Sequence, residues 1–256
     1  MGYTEKKLRQ APYFSVVIVS LNPGNSLLIT VQSVLNQSFQ DYEIIIKDAG
    51  SKDGSLEKLP SDNRIRKIIC ADTGLYHAMN QATKQARGQY LYYLNCGDYL
   101  YDEMVLQKVY DVSIAMPQTQ PCVLYGESYS RNLCRMRIPP TKVTPYFWSV
   151  SNICHQAVFF SKNSLRKPET YDLSYQISAD NELMVYQFLN GIPFIALEFP
   201  VCSYEGGGYS ETEKGMAIGK REHQRIMKTY FCVWNRVAYL GKHIFLYLGR
   251  KVWRRK

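Results

Sequence analysis

Paired cysteines are missing from this chain. Its seven cysteines (Cys70, Cys96, Cys122, Cys134, Cys154, Cys202 and Cys232) are odd in number and scattered, with no Cys-x-x-Cys. That excludes a zinc ribbon and a disulfide framework, and a reducing compartment is expected. Residues 1–13 are polar and lack the apolar core of a secretory leader, so none is expected. A dinucleotide-binding crevice needs Gly-x-Gly-x-x-Gly directly after its first strand, but Asn22-Pro23-Gly24-Asn25 stands there instead. Nor does that position offer the glycine-rich, basic loop of a sugar nucleotidyltransferase. Acid is lacking at the far end, where no Asp or Glu follows Glu222.

The nine basic residues beyond Glu222 (Arg225, Lys228, Arg236, Lys242, Arg250, Lys251, Arg254, Arg255 and Lys256) equal the whole net charge of +9. Residues 1–222 are therefore formally neutral, and the expectation is that basicity belongs to the tail. The segment 233–256 is amphipathic and aromatic, with Trp234, Tyr239, Phe245, Tyr247 and Trp253. Its longest apolar run, Ile244–Leu248, is far short of the ~20 residues that cross a bilayer, so it suits a position in the interface. Stacking of those rings on nucleic-acid bases is the alternative. The 256 residues are 46% hydrophobic and 21% charged, which suits one large α/β domain with additions.

Strand-like and helix-like stretches alternate through the first hundred residues. Phe14–Ser20 is rich in β-branched residues, and Ser26–Asn36 has helical spacing. Tyr42–Lys47 and Arg66–Cys70 read as strands, and Ala78–Ala86 reads as a helix closed by Gly88. Tyr90–Leu94 is aromatic or leucine throughout, as expected of a central strand covered on both faces. It ends on Asn95-Cys96-Gly97-Asp98, much as the second strand ends on Asp48-Ala49-Gly50-Ser51. Such alternation predicts a parallel sheet with crossover helices, whose strand ends share one edge, so Asp48 and Asp98 are expected to face one cleft. Further on, Val123–Gly126 and Ala157–Phe160 read as strands, and Ala179–Asn190 as a helix with Asp180 in its first turn. Thr212–Phe231 and 233–256 read as two last helices. Dipole complementarity is an ordinary reason for an Asp at that place in a helix.

In this order, Phe14–Asn22, Ser33–Phe39, Tyr42–Ser55, Asp72–Asn80, Gly88–Asp98, Cys154–Phe160 and Tyr171–Leu183 resemble family 2 glycosyltransferases of GT-A fold. The colanic-acid and capsule-assembly branch is the most similar. The resemblance covers roughly residues 14–210. It implies a Rossmann-like, mostly parallel sheet flanked by helices, followed by the basic helical extension at 212–256. The implied activity is transfer of a sugar from a nucleotide diphosphate donor, UDP favoured, with inversion. A lipid-linked glycan acceptor is implied as well, at the cytoplasmic face of the cell membrane, with the tail on an anionic surface and no nucleic acid.

Residue by residue, Asp98 matches the ligand of a divalent metal, Mg²⁺ or Mn²⁺, and Asp180 the general base. Asp48 matches the carboxylate that meets the nucleotide base, and Asn95 falls near the ribose. The implied nucleotide-sugar site takes in Ser20, Asn22, Ser51, Asp72, Gly74, Asn80, Gly97 and His155. Three positions depart from the pattern. Ala49 replaces the second Asp or Gly of the loop, His77 stands where close relatives commonly carry Asp, and Gly97 leaves a single acid in the metal motif. A catalytically silent scaffold in a polysaccharide-assembly complex is the competing expectation.

Overall fold

The computed structural model describes residues 11–117 and 119–231. Strands β1 (Phe14–Ser20), β2 (Tyr42–Asp48), β3 (Ile65–Ile69) and β4 (Tyr90–Asn95) are mutually parallel, with β1 between β2 and β4. Beyond β4 the sheet continues through β8 (Val158–Ser161), β6 (Val123–Ser130), β9 (Phe194–Tyr204) and the short β5 (Tyr99–Leu100). The strand order is β3-β2-β1-β4-β8-β6-β9-β5, and β7 (Arg135–Arg137) pairs with the far half of β6. β8 is antiparallel to both β4 and β6, while β6 and β9 are parallel. Six strands thus run one way and β5, β7 and β8 the other, which fits the mostly parallel expectation.

The buried run of β4 explains its central place. Tyr90, Leu91, Tyr92, Tyr93 and Leu94 are all buried, alternately feeding two apolar cores. One core takes α1 (Ser26–Leu35) and α3 (Val105–Ile114) through Leu27, Val31, Leu106 and Val109. The other takes α2 (Leu75–Gln85), α4 (Pro145–Val150), α5 (Ala179–Leu189) and α6 (Glu213–Tyr230) through Met79, Trp148, Leu183 and Ile226. α6 joins this core by packing against α5. The tail at 233–256 lies outside the described residues. Among those residues no helix is long and apolar enough to cross a membrane.

Charges inside β2 are paired, as burial requires. Glu43 accepts from Ser15 Oγ (2.7 Å), Arg66 and Arg87, and Lys47 Nζ donates to Cys70 O and Asp72 Oδ2, each at 2.7 Å. Several sequence-based boundaries move. α2 starts three residues before Ala78, at Leu75, and Ala86 rather than Gly88 ends it. Gly88 serves another purpose, because a Cβ there would lie 2.5 Å from Ser15 N. α3, α4, β5, β7 and β9 were not expected, and β9 tolerates Pro200 because its pairing with β6 is irregular at that point.

Candidate active site

The parallel strands bring their carboxyl ends to one edge, with Ser20 beside Asp48 and Val19 beside Asn95. Asp48 is fully buried there. Its Oδ1 accepts from Gly50 N (2.8 Å) and Ser51 N (2.6 Å), and its Oδ2 from Ser20 Oγ (2.7 Å) and Ser51 Oγ (2.6 Å). Burial alone would raise this carboxyl, but the donors from Ser51, Ser20 and Gly50 outweigh it and hold it below the usual range. All four acceptor positions of the carboxylate are thus taken. A base N–H reaches Asp48 only by displacing a serine hydroxyl. The same loop is stitched to the end of β1 through Asn22, whose N–H donates to Ser51 Oγ (2.7 Å) and whose Oδ1 accepts from Lys52 N (2.9 Å). Asp72, paired with Lys47, accepts from Gly74 N at 3.1 Å and so shapes the approach to α2.

The turn after β4 is fixed from α1. Thr30 Oγ1 donates to Asp98 O (2.8 Å) and accepts from Gly97 N (2.9 Å). Gly97 has φ +93°, a left-handed conformation that glycine adopts without penalty, which accounts for the lost second acid of the motif. Asp98 Oδ1 accepts from Glu205 N (2.8 Å) and lies 3.6 Å from Arg131 Nη2. Burial raises the Asp98 carboxyl despite those partners. Asn95 Oδ1 is buried with no hydrogen-bond partner, while its N–H donates to Gln156 Oε1 at 3.0 Å. Between the two edge acids, Cys96 is pushed up to about 12, first by burial and then by the charges of Asp48 and Asp98.

Asp180 faces the same space from the opposite wall. Glu222 of α6 braces the segment that leads into α5: its carboxylate accepts from the N–H groups of Gln176 (2.6 Å), Ile177 (3.0 Å) and Ser178 (2.8 Å), the last being the residue just before the helix. Asp180, in the first turn of that helix, lines the cleft, and its Oδ1 lies 3.0 Å from the Tyr76 hydroxyl. Tyr76 also donates to Ile177 O, and its ring packs on Tyr171, which in turn meets His155 Nε2 at 3.0 Å. Burial holds His155 below 6.5, with the Asp180 charge opposing.

Asn95, Asp98, His155 and Asp180 therefore line one cleft of about 470 Å³, with Tyr76, Gln156, Arg137, Glu205 and Glu211. Ser20, Asn22, Asp48 and Ser51 form one hydrogen-bonded cluster at the strand ends, and Asp72 binds Lys47 and Gly74, but none of these residues, nor Gly97, is among those lining the cleft, so Asp48 does not face it together with Asp98 as expected. Asn80 is not among the residues lining this cleft; it is buried and binds the Tyr171 backbone reciprocally, donating to O (2.9 Å) and accepting from N (2.8 Å). Tyr76, Glu205 and Glu222 were missed. Among the described residues no group of three His, Cys, Asp or Glu side chains could hold a metal ion. Asp98, Glu205 and the orphaned Asn95 Oδ1 are hard oxygen donors, and such a set suits a cation shared with a diphosphate rather than a protein-only cage.

A cleft at the carboxyl edge of a parallel sheet is the place where α/β proteins bind their ligands, and this one carries acids from several elements. Residues 15–162 match the family described as Glycosyl transferase family 2. The chain belongs to that family and is a glycosyltransferase. It is 28% identical over 222 residues to the PGL/p-HBAD biosynthesis glycosyltransferase of Mycobacterium bovis, covering 79% of this chain and 80% of that protein. In fold it resembles residues 1–349 of Staphylococcus aureus TarS in complex with UDP-GlcNAc, with TM-score 0.65 and 16% identity, covering 90% of this chain and 72% of that one. It also resembles the mannosyltransferase PcManGT of Pyrobaculum calidifontis in complex with GDP-Man and Mn²⁺, with TM-score 0.57 and 15% identity, covering 92% and 65%. These two likenesses carry the fold, which is GT-A.

Proposed function

We propose that this glycosyltransferase moves a sugar from a nucleoside diphosphate sugar, UDP favoured, to a hydroxyl of a lipid-linked glycan, with inversion, in cell-surface polysaccharide synthesis. The observation that carries the reading is that Asp98 and Asp180 line one cleft, with Glu222 bracing the segment that leads into the helix of Asp180. The nucleotide sugars bound to TarS and to the mannosyltransferase support the donor class.

In this reading Asp180 takes the proton from the acceptor hydroxyl as its oxygen attacks the anomeric carbon. The bond from that carbon to the diphosphate breaks on the opposite face, its electron pair leaving with the phosphate. Asp98, Glu205 and Asn95 would hold a Mg²⁺ or Mn²⁺ against the diphosphate, supplying neutralisation of the departing charge when it is bound. Tyr76 keeps the Asp180 carboxylate turned into the cleft, and the Asp48 loop receives the nucleoside. Residues 14–211 together with α6 form the catalytic body. The acid-free composition of 233–256 supports a place on the anionic inner face of the cell membrane, where a lipid-linked acceptor is met.

Asp180→Asn tests the assignment, because it keeps the shape and removes the base. Turnover is expected to fall by ~10²-fold or more while UDP affinity holds. If donor affinity falls instead and turnover at saturation survives, Asp180 is structural.

A further inference from the structure

The formal neutrality of residues 1–222 conceals a strong local imbalance. Between Glu127 and Glu169 there are seven Lys and Arg residues and not one Asp or Glu. That stretch holds the β6–β7 hairpin and the loop that follows it, and it exposes large apolar side chains. Leu133 at the hairpin turn is 70% exposed, Ile138 just past β7 is 69% exposed, and Tyr146 at the start of α4 is 61% exposed. Arg135 and Lys142, both exposed, lie among them and have no carboxylate partner among the described residues. Pro139 and Pro140 stiffen the chain beside Ile138, which lowers the entropy lost when the segment is covered.

The hairpin borders the cleft. Arg131 N donates to Tyr204 O (2.9 Å) and Asn132 N to Glu205 O (3.0 Å), which ties the turn to the cleft-lining end of β9. On the other strand Arg137, itself a lining residue, donates to Asn152.

We infer that this hairpin and loop are a docking surface for an anionic lipid bilayer, set so that the cleft mouth meets the membrane. The inference rests on the membrane reading above but assigns the contact to a different part of the chain. Aliphatic tips flanked by unpaired cations match a bilayer interface, where hydrocarbon takes the tips and anionic headgroups take the cations. A nucleic acid would gain little from Leu133 or Ile138, which offer no ring for stacking.

The test uses the full chain with phosphatidylcholine vesicles, with and without phosphatidylglycerol. Hydrogen–deuterium exchange reads the peptides of residues 131–140 and of 233–256 separately. Slowed exchange at 131–140 on the anionic vesicles is expected. The double variant Leu133→Glu, Ile138→Glu should lower vesicle affinity at least about tenfold, with UDP binding unchanged. Protection confined to 233–256, with the variant binding as before, overturns this docking surface and leaves the tail contact standing. If the intact chain ignores both vesicle types, both contacts fall. Displacement by soluble DNA at equal affinity for both proteins would show a general polyanion surface and refute the lipid assignment.

Discussion

Glu222 offers the most direct probe of how the candidate base is presented. Its carboxylate accepts three backbone N–H groups at 2.6–3.0 Å and is 9% exposed. Glu222→Ala strands those donors. Each buried, unpaired N–H costs ~1–3 kcal/mol, and water entering the vacated corner keeps each near the low end. The sum is about 3–4 kcal/mol, a large part of the ~5–15 kcal/mol by which a domain is stable. Glu222→Gln keeps one acceptor oxygen and loses the charge at the helix start, so about 1–2 kcal/mol is expected. Urea unfolding of the two variants gives these values directly. Kinetics below the unfolding range add the second half of the argument. With the α5 start released, Asp180 loses its place, so turnover should drop more than about tenfold while UDP affinity on the other wall stays. A Glu222→Ala protein within ~1 kcal/mol of the parent would refute the bracing of residues 176–178. Lost stability with unchanged turnover would refute the link to Asp180.

Other perturbations separate the remaining roles. Asp98→Asn preserves an oxygen for the Glu205 N–H, so the turn should survive while UDP-sugar binding, followed by calorimetry with and without Mn²⁺, loses its metal dependence; unchanged transfer in EDTA would exclude Asp98 as a ligand. For the nucleoside, a uracil N–H taking the place of the Ser51 hydroxyl on Asp48 predicts that Ser51→Ala changes UDP inhibition by less than about threefold and that Asp48→Asn weakens it about tenfold or more. Equal inhibition by UDP and CDP would argue against that contact. His155 is held below 6.5 by burial, so the unfolded chain takes up its proton first as pH falls. Its contribution to stability is complete above about 6.5 and is lost below it; His155→Gln should flatten that part of the denaturation-against-pH curve, and an unaltered slope would place the titration elsewhere.

Local period carried the parts of the fold that could be read from sequence. Phe14–Ser20, Tyr42–Lys47 and Tyr90–Leu94 are continuous apolar or β-branched runs, and α1, α5 and α6 show helical spacing. β9 escaped because Pro200 and the left-handed Glu198 (φ +51°) interrupt its pattern, an interruption that only the irregular β6 pairing makes tolerable. Asp48 was visible as an acid at a strand end, but its saturation by four donors is a matter of folded geometry. Asp180 depended on still more distant partners, since Tyr76 lies 104 residues away and Glu222 belongs to a different helix. Asn80 sat inside a matching motif and yet turned inward. Averaging charge over residues 1–222 concealed the acid-free stretch, a loss of resolution rather than of information.

The family match ends at residue 162, whereas Asp180, Glu205 and Glu222 all lie after it. The wall made by β1, β2 and β4 comes from the shared stretch, and much of the facing wall from sequence outside it. On the proposed reading the two walls are separable in the chain: exchanging the 205–211 loop would change what approaches Asp180 while every register of the parallel strands stayed in place.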